Sequence, residues 1–116
     1  MCDYAFNLRV LLQVAVHTRP NEKCIEPHTK YPSSYVTSRM ICANDNYKNM
    51  CSGDSGGPLA TYDHTYNYWT LIGVVSWNWI NACGGPKIPS VFARVTAELD
   101  WINAYTTGHT CPPPSS

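Results

Sequence analysis

Six cysteines constrain this chain more than any other feature of its sequence, because 116 residues can bury only a small core. None of the cysteines forms a Cys-x-x-Cys pair, and no histidines occur at zinc-finger spacing. Disulfides are therefore favoured over metal ligands. Because disulfides persist in oxidising compartments, the cysteine content predicts a single, covalently supported domain in a secreted, extracellular protein.

The charge balance excludes several classes of partner. Basic and acidic side chains number eight each, which gives a formal net charge of zero. No overall field attracts nucleic acid or an anionic membrane, so we expect neither as a partner. Eight tyrosines and four tryptophans favour strands and half-buried surfaces. An all-β fold with one local binding site follows.

The N-terminus lacks the pattern of an export signal. No basic region precedes Cys2, and the apolar run 8–16 is interrupted by Arg9 and Gln13. That run is also too short to span a bilayer. Because the cysteines predict export, we expect the sequence to begin inside a longer protein.

Alternation of apolar and polar side chains predicts strands. Leucine and valine recur at every second position of 8–16, which is typical of a half-buried strand. A proline-punctuated loop with room for one helical turn follows it, and a polar turn over 63–67 joins two later strands. The five predicted strands are 8–16, 36–43, 58–62, 68–77 and 90–95.

A short helix is predicted after the last strand. Thr96 can cap its N-terminus, Glu98 suits the helix dipole in the first turn, and Gly108 is a natural stop. An apolar stripe is formed by Leu99, Ile102 and Tyr105. The proline-rich tail 108–116 cannot continue the helix.

Residues 51–59, which read Cys-Ser-Gly-Asp-Ser-Gly-Gly-Pro-Leu, carry the candidate chemistry. Small and turn-forming residues surround one hydroxyl. Such residues let the chain bend sharply and bring backbone N–H groups close to a reacting atom. Ser55 is the candidate nucleophile, and the amides of Gly53 and Ser55 could bind the oxyanion of an acyl-transfer intermediate. The alternative is a glycine-rich turn whose serine merely hydrogen-bonds its own backbone.

This run resembles the nucleophile loop of the trypsin/chymotrypsin-like serine proteases, and Ser76-Trp77 resembles the family's substrate-binding strand. The resemblance implies an antiparallel β-barrel, the C-terminal barrel of the family's catalytic domain with its first strand missing, followed by an α-helix. It assigns 1–107 to this C-terminal half and 108–116 to a tail. An unclosed barrel leaves two unpaired strand edges.

The resemblance also implies roles around a specificity pocket. Asn49 falls at the pocket floor, where trypsin-like members carry an aspartate for substrate Lys or Arg, so cleavage after basic residues is disfavoured. Asn78 and Ser90 replace wall glycines and narrow the pocket toward small or medium uncharged side chains. Phe92 removes a tyrosine hydroxyl, and Pro89 matches members without a sodium site. We therefore expect no metal and no cofactor.

The family's disulfide pattern pairs Cys24 with Cys42 and Cys51 with Cys83. Each bridge should stiffen a loop and contribute about 2–4 kcal/mol of stability. Two further cysteines have no partner in that pattern and could bond each other, reach a segment outside this sequence or stay free: Cys2 and Cys111.

Asp54 adjoins the candidate nucleophile but is not expected to act as its triad acid, because neighbouring side chains of an extended chain point apart. The resemblance implies that this carboxylate pairs with the amino terminus freed on zymogen activation and so orders the oxyanion hole. That terminus is not within this sequence. We therefore expect the loop around Ser55 to relax toward an inactive form.

A serine nucleophile needs a histidine base and an orienting carboxylate, which the family draws from its N-terminal barrel. The four histidines here lack the flanking pattern of that base and are interpreted as surface residues: His17, His28, His64 and His109. We therefore expect an upstream barrel to supply His and Asp, a polypeptide as substrate, and little turnover by this chain alone.

Two other interpretations remain compatible with the sequence. A binding or scaffold module derived from a protease would hold its partner with the aromatic surface around Trp77 and Trp79. A truncated product would have no function of its own.

Overall fold

One antiparallel sheet dominates the structure, a computed structural model that describes residues 10–25, 33–79, 83 and 88–109. The strands of the sheet are β1 (His17–Arg19), β2 (Met40–Asn44), β3 (Pro58–Asp63), β4 (Tyr68–Trp77) and β5 (Ser90–Arg94). The helices are α1 (Asn21–Ile25) and α2 (Leu99–Thr106), with 3₁₀ turns at Ser33–Tyr35 and Val95–Glu98. The predicted all-β class with a C-terminal helix is therefore confirmed.

The strands lie in the order β1-β2-β5-β4-β3, and every neighbouring pair is antiparallel. Within the described residues, β1 and β3 form the two edges, as expected for a barrel that lacks a strand. The β3–β4 hairpin was predicted correctly. The Asp63 carboxylate caps its turn by accepting from the amides of Thr65 and Tyr66, and Asn67 adopts a φ of 55°.

The core lies on both faces of β2 and β5, because successive residues of a strand point to opposite sides. Cys42 and Val91 pack with Cys24, Val36 and Trp79 on one face. On the other face, the buried side chains are Ala43, Leu59, Val75 and Phe92. Two-sided burial makes β2 and β5 the rigid centre from which the loops of the site extend.

The predicted strand 8–16 is wrong over its described part. Residues 10–16 form no strand, and Leu11 is 98% exposed. The strand begins only at His17, which pairs with Asn44 at the end of β2. One residue further, Asp45 and Lys48 close a turn by exchanging backbone hydrogen bonds of 3.0 Å. Because β2 turns away there, none of the described strands lies beside residues 10–16.

Other boundaries also moved. The second strand starts at Met40 rather than residue 36, because a turn at Thr37 precedes it and the Met40 amide donates to the Thr37 carbonyl oxygen. Thr96 does not cap α2, since it lies inside the 3₁₀ turn and the helix begins at Leu99 without a side-chain cap. The predicted apolar stripe of α2 buries none of its residues. Gly108, with φ 82°, ends the helical region as predicted.

Candidate active site

The loop between β2 and β3 adopts a conformation that glycine alone takes without strain. Gly53 has φ 98° and Gly56 has φ 83°, values in the left-handed region that side chains with a Cβ rarely adopt. Ser55 lies between these two glycines and is exposed. The sequence therefore bends twice around the hydroxyl and presents it at the surface.

Hydrogen bonds fix this loop at both ends. The Cys51 amide donates to Asp54 Oδ2 at 2.9 Å, and the Asp54 amide donates back to the Cys51 carbonyl at 3.1 Å. The Gly56 amide donates to the Val75 carbonyl at 3.0 Å, while the Val75 amide donates to the Gly57 carbonyl at 2.9 Å. The last two bonds join the loop to β4, so the sheet determines the position of Ser55.

Two backbone amides beside the candidate nucleophile are not used in hydrogen bonds among the described residues. In the part of the chain that the structure describes, the amides of Gly53 and Ser55 donate no hydrogen bond, whereas those of Asp54, Gly56 and Gly57 all do. The Ser55 hydroxyl also has no partner among these residues, contrary to the alternative in which it caps its own turn. Free amides beside a free hydroxyl are what a developing oxyanion requires.

A cavity of about 350 Å³ opens beside Ser55. Three other predicted substrate-binding residues line it with Ser55: Ser76, Trp77 and Asn78. The other two do not. The Asn49 side chain donates to the Ile88 carbonyl at 3.1 Å, and Ser90 is fully buried behind the surface.

Met50 is a wall residue that the sequence did not single out. Its amide donates to Ser90 Oγ at 2.8 Å, and its carbonyl oxygen accepts from Asn78 Nδ2. The two side chains that were expected to narrow the pocket therefore hold the backbone of Met50 from both sides, one at its N–H and one at its carbonyl oxygen. No local signal could reveal this, because Asn78 and Ser90 are 28 and 40 residues away from Met50.

Both disulfides implied by the resemblance are present. Cys24–Cys42 joins α1 to β2 with a Cα–Cα distance of 6.0 Å and is completely buried. Cys51–Cys83 has a Cα–Cα distance of 4.9 Å, and both of its cysteines line the cavity. The second bridge thus joins the loop that carries Ser55 to another residue of the cavity lining. Cys2 and Cys111 lie outside the described residues.

Comparison with known proteins decides the classification. A protein-family model described as Trypsin matches residues 3–102, which is most of the chain. The chain belongs to the trypsin family. The fold, the loop that carries Ser55 and the two disulfides are therefore features of a trypsin-family protein.

Curated relatives in the trypsin family are longer than this chain. Transmembrane protease serine 11E of Mus musculus is 41% identical over 103 residues, 87% of this chain and 23% of the relative. Tissue-type plasminogen activator of Bos taurus is 36% identical over 104 residues, 83% of this chain and 17% of the relative. Transmembrane protease serine 11B of Homo sapiens is 42% identical over 76 residues, which cover 64% of this chain and 18% of the relative. The chain therefore spans less than a quarter of these relatives.

The three histidines that the structure of this trypsin-family chain describes do not line the cavity. His17 and His109 are exposed, and His64 packs edge-on against Tyr62 with ring centroids 4.9 Å apart. None of these three is among the residues that line the cavity. His28 is outside the described residues.

Asp45 is the acidic partner nearest to a described histidine. Its Oδ2 lies 3.7 Å from Nδ1 of His17 and 4.0 Å from Nζ of Lys48. The hydrogen bond from the Asn46 amide is the main reason that the pKa of Asp45 falls below its usual value, and the nearby cations act in the same direction. This pair belongs to a surface turn.

The tryptophans near the site differ in accessibility. Trp77 and Trp79 meet edge to face with centroids 4.8 Å apart, and Tyr35 stacks on Trp79. Trp79 is only 4% exposed, so the aromatic surface expected around Trp77 and Trp79 is wrong for Trp79. Trp79 packs into the core and exposes only a small part of its surface, at the cavity wall.

The described residues contain no group of three His, Cys, Asp or Glu side chains placed to bind a metal ion. No helix within them has the length and apolar character needed to cross a bilayer.

Proposed function

We propose that this chain is the C-terminal half of the catalytic domain of a serine endopeptidase, with Ser55 as its nucleophile. One observation carries the proposal most directly. The amides of Gly53 and Ser55 donate no hydrogen bond among the described residues, while those of Asp54, Gly56 and Gly57 are engaged. They lie in the loop whose exposed hydroxyl borders a cavity of about 350 Å³.

The chemistry divides between the residues of this chain and those of an N-terminal barrel. Ser55 Oγ attacks the substrate carbonyl carbon, its proton passes to a histidine, and the carbonyl oxygen becomes an oxyanion that accepts from the amides of Gly53 and Ser55. The amine leaves with the proton, and water then hydrolyses the acyl-enzyme. His17, His64 and His109 do not line the cavity, so the proposal assigns the histidine and its aspartate to an N-terminal barrel. Without them the rate falls by roughly 10⁴–10⁶.

We assign Asp54 the role of binding the amino terminus that is freed on zymogen activation. Its carboxylate accepts from the Cys51 amide, and no cation faces it among the described residues. A freed amino terminus would compete with that amide for the same oxygen. Because Asp54 precedes Ser55, its rotation would reorient the peptide that carries the Ser55 amide.

We infer that the substrates are polypeptides and that the substrate side chain which binds in the cavity is uncharged. The described residues that line it include no charged group. Burying a lysine or arginine head group there without a carboxylate is unfavourable. Asn49, turned toward Ile88, supplies no charge either.

Complementation tests this assignment. The chain is refolded with an N-terminal barrel that bears the histidine and aspartate of a trypsin-family protease, and peptide amidase activity is measured. We expect activity that disappears in Ser55→Ala and persists in Ser38→Ala, a change of an exposed serine outside the site. Activity that survives Ser55→Ala contradicts the assignment.

A non-catalytic binding module is the second candidate, and one observation favours it. Trp69 and Trp101 are 66% and 64% exposed, and aromatic side chains of this kind are enriched at protein interfaces. A fluorophosphonate probe separates the candidates, because it labels only an activated serine. Labelling of Ser55 in the complemented protein supports the endopeptidase, and its absence supports the module.

Secretion is proposed on chemical grounds. Two disulfides, one of them reachable from the cavity, persist best in an oxidising compartment. Recovery of the protein from culture medium with both bridges intact would support an extracellular location. Finding it with reduced cysteines in the cytosol would contradict that location.

A further inference from the structure

The disulfide between Cys51 and Cys83 borders the site rather than the core. Both cysteines line the cavity beside Ser55, and both keep part of their surface exposed. Cys24 and Cys42, in contrast, are 0% exposed and pack among core residues. The chain thus has one covalent bridge at its proposed binding site and another that is closed to solvent.

The loop that carries Ser55 has anchors that do not depend on the cavity bridge. The backbone of Met50 is held by Ser90 and Asn78, and the two glycines after Ser55 exchange hydrogen bonds with Val75. The bridge itself closes a loop with a sequence separation of 32 residues, and opening it restores conformational freedom to that loop. Opening therefore loosens the cavity lining while the nucleophile keeps its anchors.

On the basis of the proposed function, we propose that the Cys51–Cys83 bridge is a modification site at which a small thiol controls substrate binding in the cavity. A thiolate attacks either sulfur of the bridge, forms a mixed disulfide with that cysteine and releases the other as a thiolate. A second thiolate attacks the thiol-derived sulfur of the mixed disulfide and releases the remaining cysteine. The bridge gains two electrons, the two small thiols become one disulfide, and their two protons pass to the cysteines.

Both products of this exchange change the cavity. Its volume of about 350 Å³ is that of a small-molecule site, so a mixed disulfide occupies space that the substrate side chain needs. Full reduction removes the covalent link between Cys51 and Cys83. Either change weakens contacts that the bound substrate and the transition state share, so KM rises while kcat is retained.

Glutathione applied to the full 116-residue chain tests the modification directly. We expect Cys51–Cys83 to open through a glutathione adduct on one of its cysteines while Cys24–Cys42 stays intact. The rate should rise with thiol concentration, as direct attack requires. Acid quenching, alkylation and peptide mass spectrometry identify the cysteines, and S-methylglutathione, which has no thiol, is the matched control. Opening of both bridges at one common rate would show that exchange needs the unfolded chain and overturns the proposal.

Kinetics of the complemented protease test the consequence for binding. The double variant Cys51→Ala with Cys83→Ala, assayed without any thiol, should raise KM about tenfold and keep kcat within about twofold of the wild type. Ser55 should still label with fluorophosphonate. If this variant does not fold, the wild-type chain is reduced at the same bridge, capped with methyl methanethiosulfonate and complemented in its place.

Two kinetic outcomes overturn the inference. An unchanged KM would mean that the bridge does not shape the cavity, and loss of labelling at Ser55 would mean that it holds the nucleophile instead. Failure of the proposed function is read separately. If Ser55 never labels, even with the bridge intact, the endopeptidase assignment fails, whereas glutathione exchange on the chain alone still decides whether Cys51–Cys83 is a modification site.

Discussion

The backbone amide of Met50 lies 2.8 Å from the hydroxyl oxygen of Ser90 and donates a hydrogen bond to it. Ser90 is fully buried at the start of β5, which pairs with strands on both sides. Met50 leads directly into Cys51 and the nucleophile loop. This single bond therefore joins the base of the loop to the centre of the sheet.

Ser90→Ala should lower the free energy of unfolding by about 1–3 kcal/mol, because the partly buried Met50 amide loses its acceptor. Urea denaturation followed by tryptophan fluorescence measures the change. Ser34→Ala, at an exposed serine, is the control and should remain within about 0.5 kcal/mol of the wild type. Equal urea midpoints for both variants would mean that the hydrogen bond does not contribute to stability.

Gly57→Ala should damage the nucleophile loop by steric conflict. A Cβ at Gly57 would lie 2.9 Å from the Asp54 carbonyl oxygen, which already accepts from the Gly57 amide. We expect a loss of about 1–3 kcal/mol in stability and a fall of about a hundredfold in kcat/KM of the complemented protease, since Ser55 is displaced.

Gly108→Ala is the matched control for that change. No atom lies within 4 Å of a Cβ at Gly108, so only its φ of 82° opposes the alanine, at about 1 kcal/mol. We expect kcat/KM to be unchanged in this variant. A Gly57→Ala protease as active as Gly108→Ala would show that the loop accommodates the methyl group.

Asp45 should make stability depend on pH in the acid range. Its pKa in the folded chain lies below the reference value of 3.8, chiefly because its carboxylate accepts from the Asn46 amide. The unfolded state therefore binds the proton more tightly. The stability from the ionised carboxylate is complete above the unfolded pKa and is lost as pH falls through the folded value.

Urea midpoints between about pH 6 and about pH 2 test this dependence. Asp45→Asn should be less stable than the wild type at the upper end and should lose less stability on acidification. Asp100→Asn, at an exposed residue of α2, should follow the wild-type slope. Parallel slopes for the wild type and Asp45→Asn would contradict the assigned role.

The two disulfides should be reduced in a fixed order. Cys24 and Cys42 are 0% exposed, whereas Cys51 and Cys83 are half-buried and line the cavity. A thiolate must reach a sulfur atom to exchange with it, so a dithiol reagent should open Cys51–Cys83 first. Alkylation followed by peptide mass spectrometry identifies the reduced pair. Earlier labelling of Cys24 and Cys42 would contradict the order.

Local chemistry explains which features could be predicted. The nucleophile loop is determined by glycines whose φ values are open only to glycine, at Gly53 and Gly56. The β3–β4 hairpin follows from alternation on either side of a polar turn that Asp63 caps. Both signals are contained within a few residues. The disulfide pairing, in contrast, required a resemblance to known proteases, because spacing alone permits many connectivities.

The missed features depend on distant neighbours. Alternation in residues 8–16 is a property of the segment, but a strand needs an adjacent strand, and β2 ends opposite His17. The roles of Asn78 and Ser90 depend on the backbone of Met50, which lies 28 and 40 residues away from them. Thr96 has good capping chemistry, yet the chain first forms a 3₁₀ turn there. For residues 8–16, Asn78 and Ser90, the deciding neighbours are distant in sequence, and local preference alone could not identify them.

The exchange of hydrogen bonds between the two glycines after Ser55 and Val75 has a practical meaning for protein engineering. A nucleophile turn transplanted into another sheet would need a strand with a matching amide and carbonyl at that register, in addition to its own sequence. Conversely, new turns could be designed onto this sheet, provided that each keeps two consecutive glycines that form the same hydrogen bonds with Val75.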